Sequence, residues 1–295
     1  MIRRVMFSLN RNKQGIYETV AACAAMCREK GVEPVFFSED VPALKQALPE
    51  LMAQPFCALD EPDQTQIDII LVFGGDGTML RALSTNAEYG IPLLGINLGR
   101  LGFLLETEVG ELSQALDMLC AGEYDIERRL LLRVQLEQNG KAISAYATNE
   151  VAISRGLSQR MIAVYAFVGR TLVEHYIADG VVLASPTGST GYSLSAGGPI
   201  VCPDVPCFVL NPICPHTLQS RPIVLSCREP VTLCVNMMEM REGIQLSIDG
   251  QAVCQMHNQE RVLISRSEHD GLLVRFPKER NFFSLLKEKL SQWSL

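Results

Sequence analysis

A single apolar stretch constrains the fold of this chain more than any other feature. Residues 67–73, IDIILVF, consist almost wholly of β-branched and aliphatic side chains and run directly into Gly74 and Gly75. A strand with one solvent-exposed face alternates apolar and polar residues, and this stretch does not. It is typical of a strand buried on both faces in a parallel sheet, and the glycines mark its end.

Strand and helix patterns alternate on both sides of this stretch. Short apolar runs predict strands at residues 2–8, 35–37 and 91–96, and apolar residues at helical spacing predict helices at 16–27, 43–52, 79–87 and 112–120. Strands that alternate with helices indicate βαβ units and a largely parallel sheet. We therefore predict an α/β domain of the nucleotide-binding type over residues 1–126.

After this domain the pattern changes to short strand-like runs with little helix between them. The dipeptides Asn139-Gly140 and Asp249-Gly250 are typical of two-residue β-hairpin turns. We predict an all-β sandwich over residues 127–274. A C-terminal segment over 275–295, helical at 281–290, is expected to pack back on the first domain.

The composition argues against several classes of protein. The formal net charge of −7 disfavours a broad nucleic-acid or anionic-membrane surface, because such surfaces need clustered Lys and Arg. The ten cysteines include no CxxC pair, and the four histidines have no paired metal-ligand spacing. The N-terminal residues lack the apolar run of a signal peptide, and no apolar stretch has the length of a transmembrane helix. We expect a soluble cytoplasmic protein with mostly buried, reduced cysteines.

The turn Gly74-Gly75-Asp76-Gly77-Thr78 lies between the buried strand and a predicted helix. In open α/β sheets, ligands bind at the carboxyl ends of the strands. Glycines allow positive φ and close approach of a phosphate, and the next helix offers free N–H groups to an anion. We predict phosphate binding by Gly74, Gly75, Gly77 and Thr78. Asp76 would repel a phosphate unless it accepts a proton or holds a metal; a plain tight turn with a capping Asp is the alternative.

Two further groups of polar residues lie in the β region. Asn149 and Glu150 open a strand and could bind ribose hydroxyls, since a carboxylate accepts hydrogen bonds and an amide donates and accepts them. An ordinary strand edge is the alternative. Asp179 precedes a stretch of small hydroxyl and glycine residues at 184–199, ASPTGSTGYSLSAGGP. Loops of such biased composition are usually functional. This one predicts a concave surface of hydroxyls and backbone donors, in which Tyr192 could contact a base.

With these motifs in view, the chain resembles the NAD kinase family over essentially its whole length. The resemblance rests on GGDGT, GINLGRLGFL at 95–104, the Asn-Glu pair, ADG at 178–180, SPTGSTGYSLSAGGP, NPICPHTLQSRP at 211–222 and SIDGQ at 247–251, in the family's order. GGDGT alone is shared with diacylglycerol and sphingosine lipid kinases, whereas GSTGYSLSAGGP is much more specific. The resemblance implies an α/β domain, a β-sandwich and an active site in the crevice between them.

The resemblance also implies roles for individual residues. Asp76 would be the proton acceptor, and Gly77 would lie beside the bound NAD. The residues implied to bind NAD are Asp76, Gly77, Asn149, Glu150, Arg160, Asp179, Thr190, Gly191, Tyr192, Ser193, Leu194, Ser195 and Gln251. Family members are homo-oligomers, so a homodimer or homotetramer is expected, in which a neighbouring subunit can complete the NAD site. Two positions depart from the family: Ile177 stands where many relatives have a basic residue, and Gly191 stands where Ala is frequent.

The implied reaction is transfer of the ATP γ-phosphoryl group to the 2′-hydroxyl of the adenosine ribose of NAD, forming NADP, with Mg²⁺ entering with ATP. A GGDGT-type lipid kinase is the first alternative, and it would need a membrane-facing surface, yet no basic amphipathic helix is evident. A non-catalytic dinucleotide-binding regulator is the second alternative, and the intact Asp76 speaks against it.

Overall fold

The chain forms two compact units. The computed structural model describes residues 2–54, 56–99, 102–158, 160–236, 243–277 and 281–292. Residues 1–128 and 272–295 make up the first unit, and residues 129–271 make up the second. These divisions lie beside the boundaries expected from the sequence, at 126/127 and 274/275. Arg100 and Leu101, within the family-like stretch 95–104, lie outside the described residues.

Most of the chain is arranged in strands. In chain order they are β1 (Arg4–Leu9), β2 (Glu33–Phe37), β3 (Cys57–Leu59), β4 (Ile69–Gly74), β5 (Leu93–Asn97), β6 (Thr107–Glu108), β7 (Asp125–Gln138), β8 (Lys141–Ala147), β9 (Glu150–Ser154), β10 (Ile162–Val168), β11 (Thr171–Ala178), β12 (Gly180–Ala184), β13 (Cys207–Ile213), β14 (Ile223–Ser226), β15 (Val231–Asn236), β16 (Ile244–Ile248), β17 (Gln251–Met256) and β18 (Arg261–Arg275). The α-helices are α1 (Ile16–Glu29), α2 (Val41–Ala47), α3 (Pro49–Met52), α4 (Asp76–Thr85), α5 (Leu112–Ala121), α6 (Tyr192–Ser195) and α7 (Phe282–Gln292). Strand β7 carries the chain from the first unit into the second, and β18 carries it back.

The first unit is a parallel sheet with helices on both faces. Its central strands are ordered β5-β4-β1-β2-β3, and neighbouring strands run parallel. Every residue of β4 is buried. Ile69, Leu71 and Phe73 join the core that contains α1 and α5, whereas Ile70 and Val72 join the core that contains α4. The α/β fold and the doubly buried strand expected from IDIILVF are therefore confirmed.

The last residues of the chain return to the first unit. Leu273 of β18 pairs with Leu93 of β5 in parallel register. Val274 and Phe276 are buried in the core that contains α1 and α5. At the start of α7, the ring of Phe282 lies 6.1 Å from that of Phe103.

One predicted helix of the first unit is in fact two. The apolar spacing predicts a single helix over 43–52, but α2 ends at Ala47 and α3 begins at Pro49. Proline lacks an N–H donor and disfavours the helical conformation in the residue before it. Leu48 accordingly has φ −133° and ψ 62°, so the first helix ends there.

The second unit is a sandwich of two antiparallel sheets. One sheet has the order β8-β7-β18-β15-β10-β11, and the other has the order β14-β13-β12-β9-β16-β17. Both sheets contribute to one core, which contains Leu132 of β7, Val164 of β10, Val181 of β12 and Leu246 of β16. The all-β fold expected for this region is confirmed. Among the described residues, no helix has the length and apolar character needed to cross a bilayer.

Candidate active site

The Gly-Gly-Asp-Gly-Thr turn joins β4 to α4 and begins the helix earlier than expected. Asp76 is already the first residue of α4, whereas the sequence pattern places the helix start at residue 79. The positive φ expected of the glycines is wrong for Gly74, Gly75 and Gly77, and their approach to a phosphate stays a prediction. A Cβ on Gly74 would instead overlap the side chain of Thr78. Glycine is required here for close approach within the turn.

The carboxylate of Asp76 is held by a loop from elsewhere in the first unit. The N–H of Phe103 donates to Oδ2 at 2.9 Å, and the N–H of Leu104 donates to Oδ1 at 3.2 Å. A Cβ on Gly102 would overlap both oxygens, so only glycine leaves room for this carboxylate. A carboxylate has about four lone-pair sites, and two accept these N–H groups. The remaining sites can accept a hydrogen bond from a substrate hydroxyl.

The end of β1 adds a residue that the sequence did not single out. The N–H of Asn10 donates to the carbonyl of Phe73 at 3.2 Å, and its side-chain amide donates to the hydroxyl of Thr78 at 3.1 Å. Asn10 thus ties β1 to the turn. The signal that could have found it is its place at the carboxyl end of a parallel strand, where ligands of such sheets bind.

A cavity of about 340 Å³ opens at the same edge of the parallel sheet. It lies between the start of α1, at Gln14 and Gly15, and the end of β5, at Asn97 and Gly99. Asn97 is nearly fully buried and is fixed by two hydrogen bonds with Gly99. Because Asn97 pairs with Gly74 across the sheet, the cavity is adjacent to the glycine turn.

In the second unit, Asn149 and Glu150 lie at the start of β9 against the glycine-rich loop. The N–H of Ser185 donates to the carbonyl of Asn149 at 2.8 Å. A Cβ on Gly191 would lie 3.4 Å from both Asn149 Nδ2 and Glu150 Oε2. This is ordinary contact, so the structure accommodates the alanine that relatives often have at this position. The structure thus brings together three of the expected NAD-binding residues, Asn149, Glu150 and Gly191.

Glu150 is the most unusual carboxyl group of this cluster. The residue is 6% exposed, and its Oε2 has no hydrogen-bond partner among the described residues. Burial, and next the negative charge of Asp249, raise the pKa of Glu150 to about 7. A buried acceptor without a partner loses its hydration and gains nothing in return. Such an atom is well suited to accept a hydrogen bond from a ligand hydroxyl.

The loop expected to present hydroxyl groups turns most of them inward. Ser185 and Ser189 are fully buried and donate to the carbonyls of Thr148 and Pro186. The hydroxyl of Thr190 donates to a carbonyl within the same loop at 3.2 Å. The predicted concave surface of hydroxyls therefore does not include Ser185 and Ser189, whose buried hydroxyls stabilise the loop itself. Thr190 is only half-buried and stays a candidate contact.

The short helix α6 contains four of the expected NAD-binding residues. Tyr192 is 42% exposed, and its pKa is raised by burial and by the nearby Cys214, Glu150 and Asp179. The fully buried Ser193 instead supports the loop through its carbonyl, which accepts from Asn211 Nδ2. Leu194 is half-buried and Ser195 is exposed.

Asp179 has a cationic partner within its own unit. Arg155 Nε lies 2.8 Å from Asp179 Oδ1, and the N–H of Arg155 donates to the carbonyl of Asp179. Ile177, which departs from the basic residue that the resemblance implies at this position, is exposed. Arg160 lies exposed in the β9–β10 loop, and Gln251 is an exposed residue at the start of β17. Their contacts with NAD stay predictions.

Asp249 is a second residue that sequence analysis missed. It was noted for its hairpin turn, yet its carboxylate accepts hydrogen bonds from the N–H groups of Thr148, Asn149 and Glu150. Because these donors lie 99 to 101 residues away in the chain, the local sequence pattern gave no sign of these hydrogen bonds.

An open parallel sheet with a glycine-rich turn at the carboxyl end of a central strand defines a nucleotide-binding protein of the α/β type. Comparison with known proteins is more specific. The family model described as the ATP-NAD kinase N-terminal domain matches residues 5–124, and that of the ATP-NAD kinase C-terminal domain matches residues 148–276. The chain belongs to the NAD kinase family.

Individual relatives agree with this assignment. The NAD kinase of Moorella thermoacetica is 37% identical over 96% of this chain and 81% of its own length. The NAD kinase of Heliobacterium modesticaldum is 44% identical over 77% of this chain and 80% of its own length.

Two solved structures share the fold. An NAD kinase from Archaeoglobus fulgidus in complex with ATP has a TM-score of 0.70 and 25% identity, covering 98% of each chain. Yeast NADH kinase complexed with NADH has a TM-score of 0.86 and 24% identity, covering 98% of this chain and 88% of that one, and shows the fold alone.

Proposed function

We propose that this enzyme transfers the γ-phosphoryl group of ATP to the 2′-hydroxyl of the adenosine ribose of NAD, forming NADP. The observation that carries the proposal is the carboxylate of Asp76. Two backbone N–H groups fix its orientation, and it keeps lone pairs free to accept a proton. The relatives named NAD kinase suggest the acceptor, and the ATP-NAD kinase family models suggest the donor. They favour this reaction over the lipid kinase alternative.

In the proposed mechanism, Asp76 accepts the proton of the 2′-hydroxyl as its oxygen bonds to phosphorus. Catalysis of phosphoryl transfer is mostly positioning and electrostatic stabilisation. The N–H groups at the start of α4 bind phosphate oxygens, as helix N-termini do. The adjacent cavity offers room for the nucleoside of ATP.

The proposed metal enters as part of the ATP substrate. Among the residues that the structure describes, no three His, Cys, Asp or Glu side chains cluster as a metal site. Mg²⁺ is usually bound through one or two carboxylates together with substrate phosphates and water. Asp76 keeps lone pairs that fit this mode, so Mg²⁺ would neutralise phosphate charge while held mainly by ATP.

NAD is proposed to bind to the cluster around Asn149 and Glu150. Oε2 of Glu150 would accept from a ribose hydroxyl, and Asn149 can both donate and accept. The ring of Tyr192 offers a face for the adenine. Asp179, Thr190, Ser195 and Gln251 are the further candidates.

The direct test is an assay of the purified protein with NAD and NADH crossed against ATP and polyphosphate, with a diacylglycerol emulsion as competing acceptor. We expect NADP formation from NAD and ATP that the lipid does not inhibit. Phosphorylation of the lipid, or NAD binding without turnover, would favour the alternative functions.

Replacing Glu150 by Gln tests the proposed ribose contact. Loss of a charged acceptor removes about 1.5–3 kcal/mol, so KM for NAD should rise about tenfold or more while kcat changes less. The pH dependence is a second readout. Only the ionised carboxylate is a full acceptor, so wild-type KM for NAD should fall as pH rises through the pKa of about 7. Glu150→Gln should lack this dependence, and an unchanged KM would remove Glu150 from the site.

Replacing Tyr192 by Ala tests the position of the adenine. Stacking of a base on an aromatic ring is worth roughly 1–3 kcal/mol in nucleic-acid complexes. KM for NAD should therefore rise about tenfold, and KM for ATP should stay nearly constant. Tyr192→Phe is the matched control, because it keeps the ring and should bind NAD normally. A change confined to KM for ATP would place the donor nucleotide here instead.

The resemblance also implies a homodimer or homotetramer and a cytoplasmic location. We keep both as predictions; light scattering of the purified protein checks the first.

A further inference from the structure

We propose that Asp249 is a positioning residue that holds Asn149 and Glu150 in the conformation that binds NAD. This inference rests on the proposed function of that pair. Asp249 is the first residue of the turn between β16 and β17 and lies next to the start of β9. The resemblance gives a role to Gln251 of the same SIDGQ motif but none to Asp249.

The carboxylate of Asp249 binds three consecutive backbone N–H groups. Oδ2 accepts from Thr148 at 2.8 Å, and Oδ1 accepts from Asn149 at 2.7 Å and from Glu150 at 3.1 Å. In return, the N–H of Asp249 donates to the carbonyl of Glu150 at 3.0 Å. Four hydrogen bonds therefore tie one turn residue to the segment that carries the proposed ligand contacts.

The same segment is held from its other side by the glycine-rich loop. The N–H of Ser185 donates to the carbonyl of Asn149, and the hydroxyl of Ser185 donates to the carbonyl of Thr148. A Cβ on Gly188 would overlap the backbone of Asn149, so the loop packs directly against it. With the backbone fixed on both sides, the side chains of Asn149 and Glu150 lie beside Gly191.

Asp249 also sets the charge around Glu150. Its negative charge is the second cause, after burial, of the raised pKa of Glu150. Burial raises the pKa of Asp249 as well, but the three N–H donors oppose that rise. Among the described residues, a further titratable group near Glu150 is Tyr192 of α6, whose own pKa is also raised by Cys214 and Asp179.

The experiment compares Asp249→Asn with the wild type in steady-state assays across pH. Asparagine suits the turn, in which residue 249 has φ 47°, but it lacks the charge and one acceptor oxygen. We expect KM for NAD to rise about tenfold, which corresponds to about 1.4 kcal/mol. KM for ATP and kcat should stay close to the wild type.

The midpoint of the dependence of KM for NAD on pH should move to lower pH, because the repelling charge is gone. Loss of burial would also lower the pKa of Glu150, so a melting temperature and a kcat close to those of the wild type are needed to exclude a structural defect.

A matched pair of alanine variants separates the loss of the hydrogen bonds to the Asp249 carboxylate from the effect of placing alanine in the turn. Asn139-Gly140 forms a turn of the same kind, with φ 53° and 70°, against 47° and 75° at Asp249-Gly250. Asn139→Ala and Asp249→Ala carry the same backbone strain, yet Asp249→Ala alone should raise KM for NAD. If Asp249→Ala does not fold, Asp249→Asn still provides the test.

The outcomes distinguish this inference from the proposed function. An unchanged KM for NAD in Glu150→Gln would overturn the proposed contact and this inference together. A raised KM in Glu150→Gln, with neither KM nor midpoint changed in Asp249→Asn, would overturn the role of Asp249 alone. Equal effects of Asn139→Ala and Asp249→Ala on KM for NAD would likewise overturn it.

Discussion

Replacing Asp76 by Asn is expected to lower kcat by about 10²–10⁴-fold, the usual contribution of general acid–base catalysis. The amide has nearly the same size, so the turn and the affinity for NAD should be retained. One amide nitrogen would face the N–H of Phe103 or Leu104, and we expect a loss of about 1 kcal/mol of stability. Steady-state kinetics and thermal melting of the same preparation measure both effects.

A matched control is Asp63→Asn. Asp63 also accepts a backbone N–H, from Thr65 at 2.8 Å, and it lies in the same unit but outside the glycine turn. Its replacement should leave kcat unchanged. If Asp76 binds Mg²⁺ instead of taking the proton, added Mg²⁺ should partly restore Asp76→Asn. Wild-type turnover of Asp76→Asn at ordinary Mg²⁺ would contradict both roles.

Replacing Gly102 by Ala is expected to lower kcat by about 10²-fold, the effect that a misplacement of about 1 Å can have on a catalytic group. A Cβ at this position would overlap the carboxylate of Asp76, which must then move from its two N–H donors. Because the substrate contacts of the second unit are unaltered, KM for NAD should change little. Kinetics of the purified variant check the prediction.

Gly99→Ala is the control for this loop, because a Cβ on Gly99 meets no heavy atom within 4 Å. Because Gly99 lines the cavity proposed for the nucleoside of ATP, kcat is measured at saturating ATP, where it should equal that of the wild type. A double-mutant cycle supplies the second check: with Asp76→Ala the carboxylate is gone, so adding Gly102→Ala should cost little further activity. Additive losses would mean that Gly102 acts on something other than Asp76.

The sequence predicted the α/β unit from one buried strand and its alternation with helices, because burial on both faces leaves a local apolar run. It did not predict that Pro49 divides a helix or that α4 begins at Asp76. The sequence pattern also did not predict the strands β3, β6, β11 and β17, because they are short or partly exposed and lack a continuous apolar run. The local hydrophobic pattern indicates which segments are buried, but it does not fix the residues at which helices and strands begin and end.

The candidate site divides in the same way. The sequence motifs, together with the order of strands and helices around them, singled out Asp76, Asn149 and Glu150 as candidate site residues. A turn after a buried strand and a polar pair at the start of a strand can both be recognised within a few residues. The resemblance supplied the rest, and its family was confirmed by the comparisons.

By itself, the sequence determined which strand presents Asp76, and it supplied the residues that are proposed to carry the chemistry. Only the tertiary structure decided what holds those residues in place. Phe103 and Leu104 reach Asp76 across 27 and 28 positions of chain, and Asp249 reaches Glu150 across 99. Hydrogen bonds over such separations depend on how distant segments pack, and packing leaves no periodic trace in either segment.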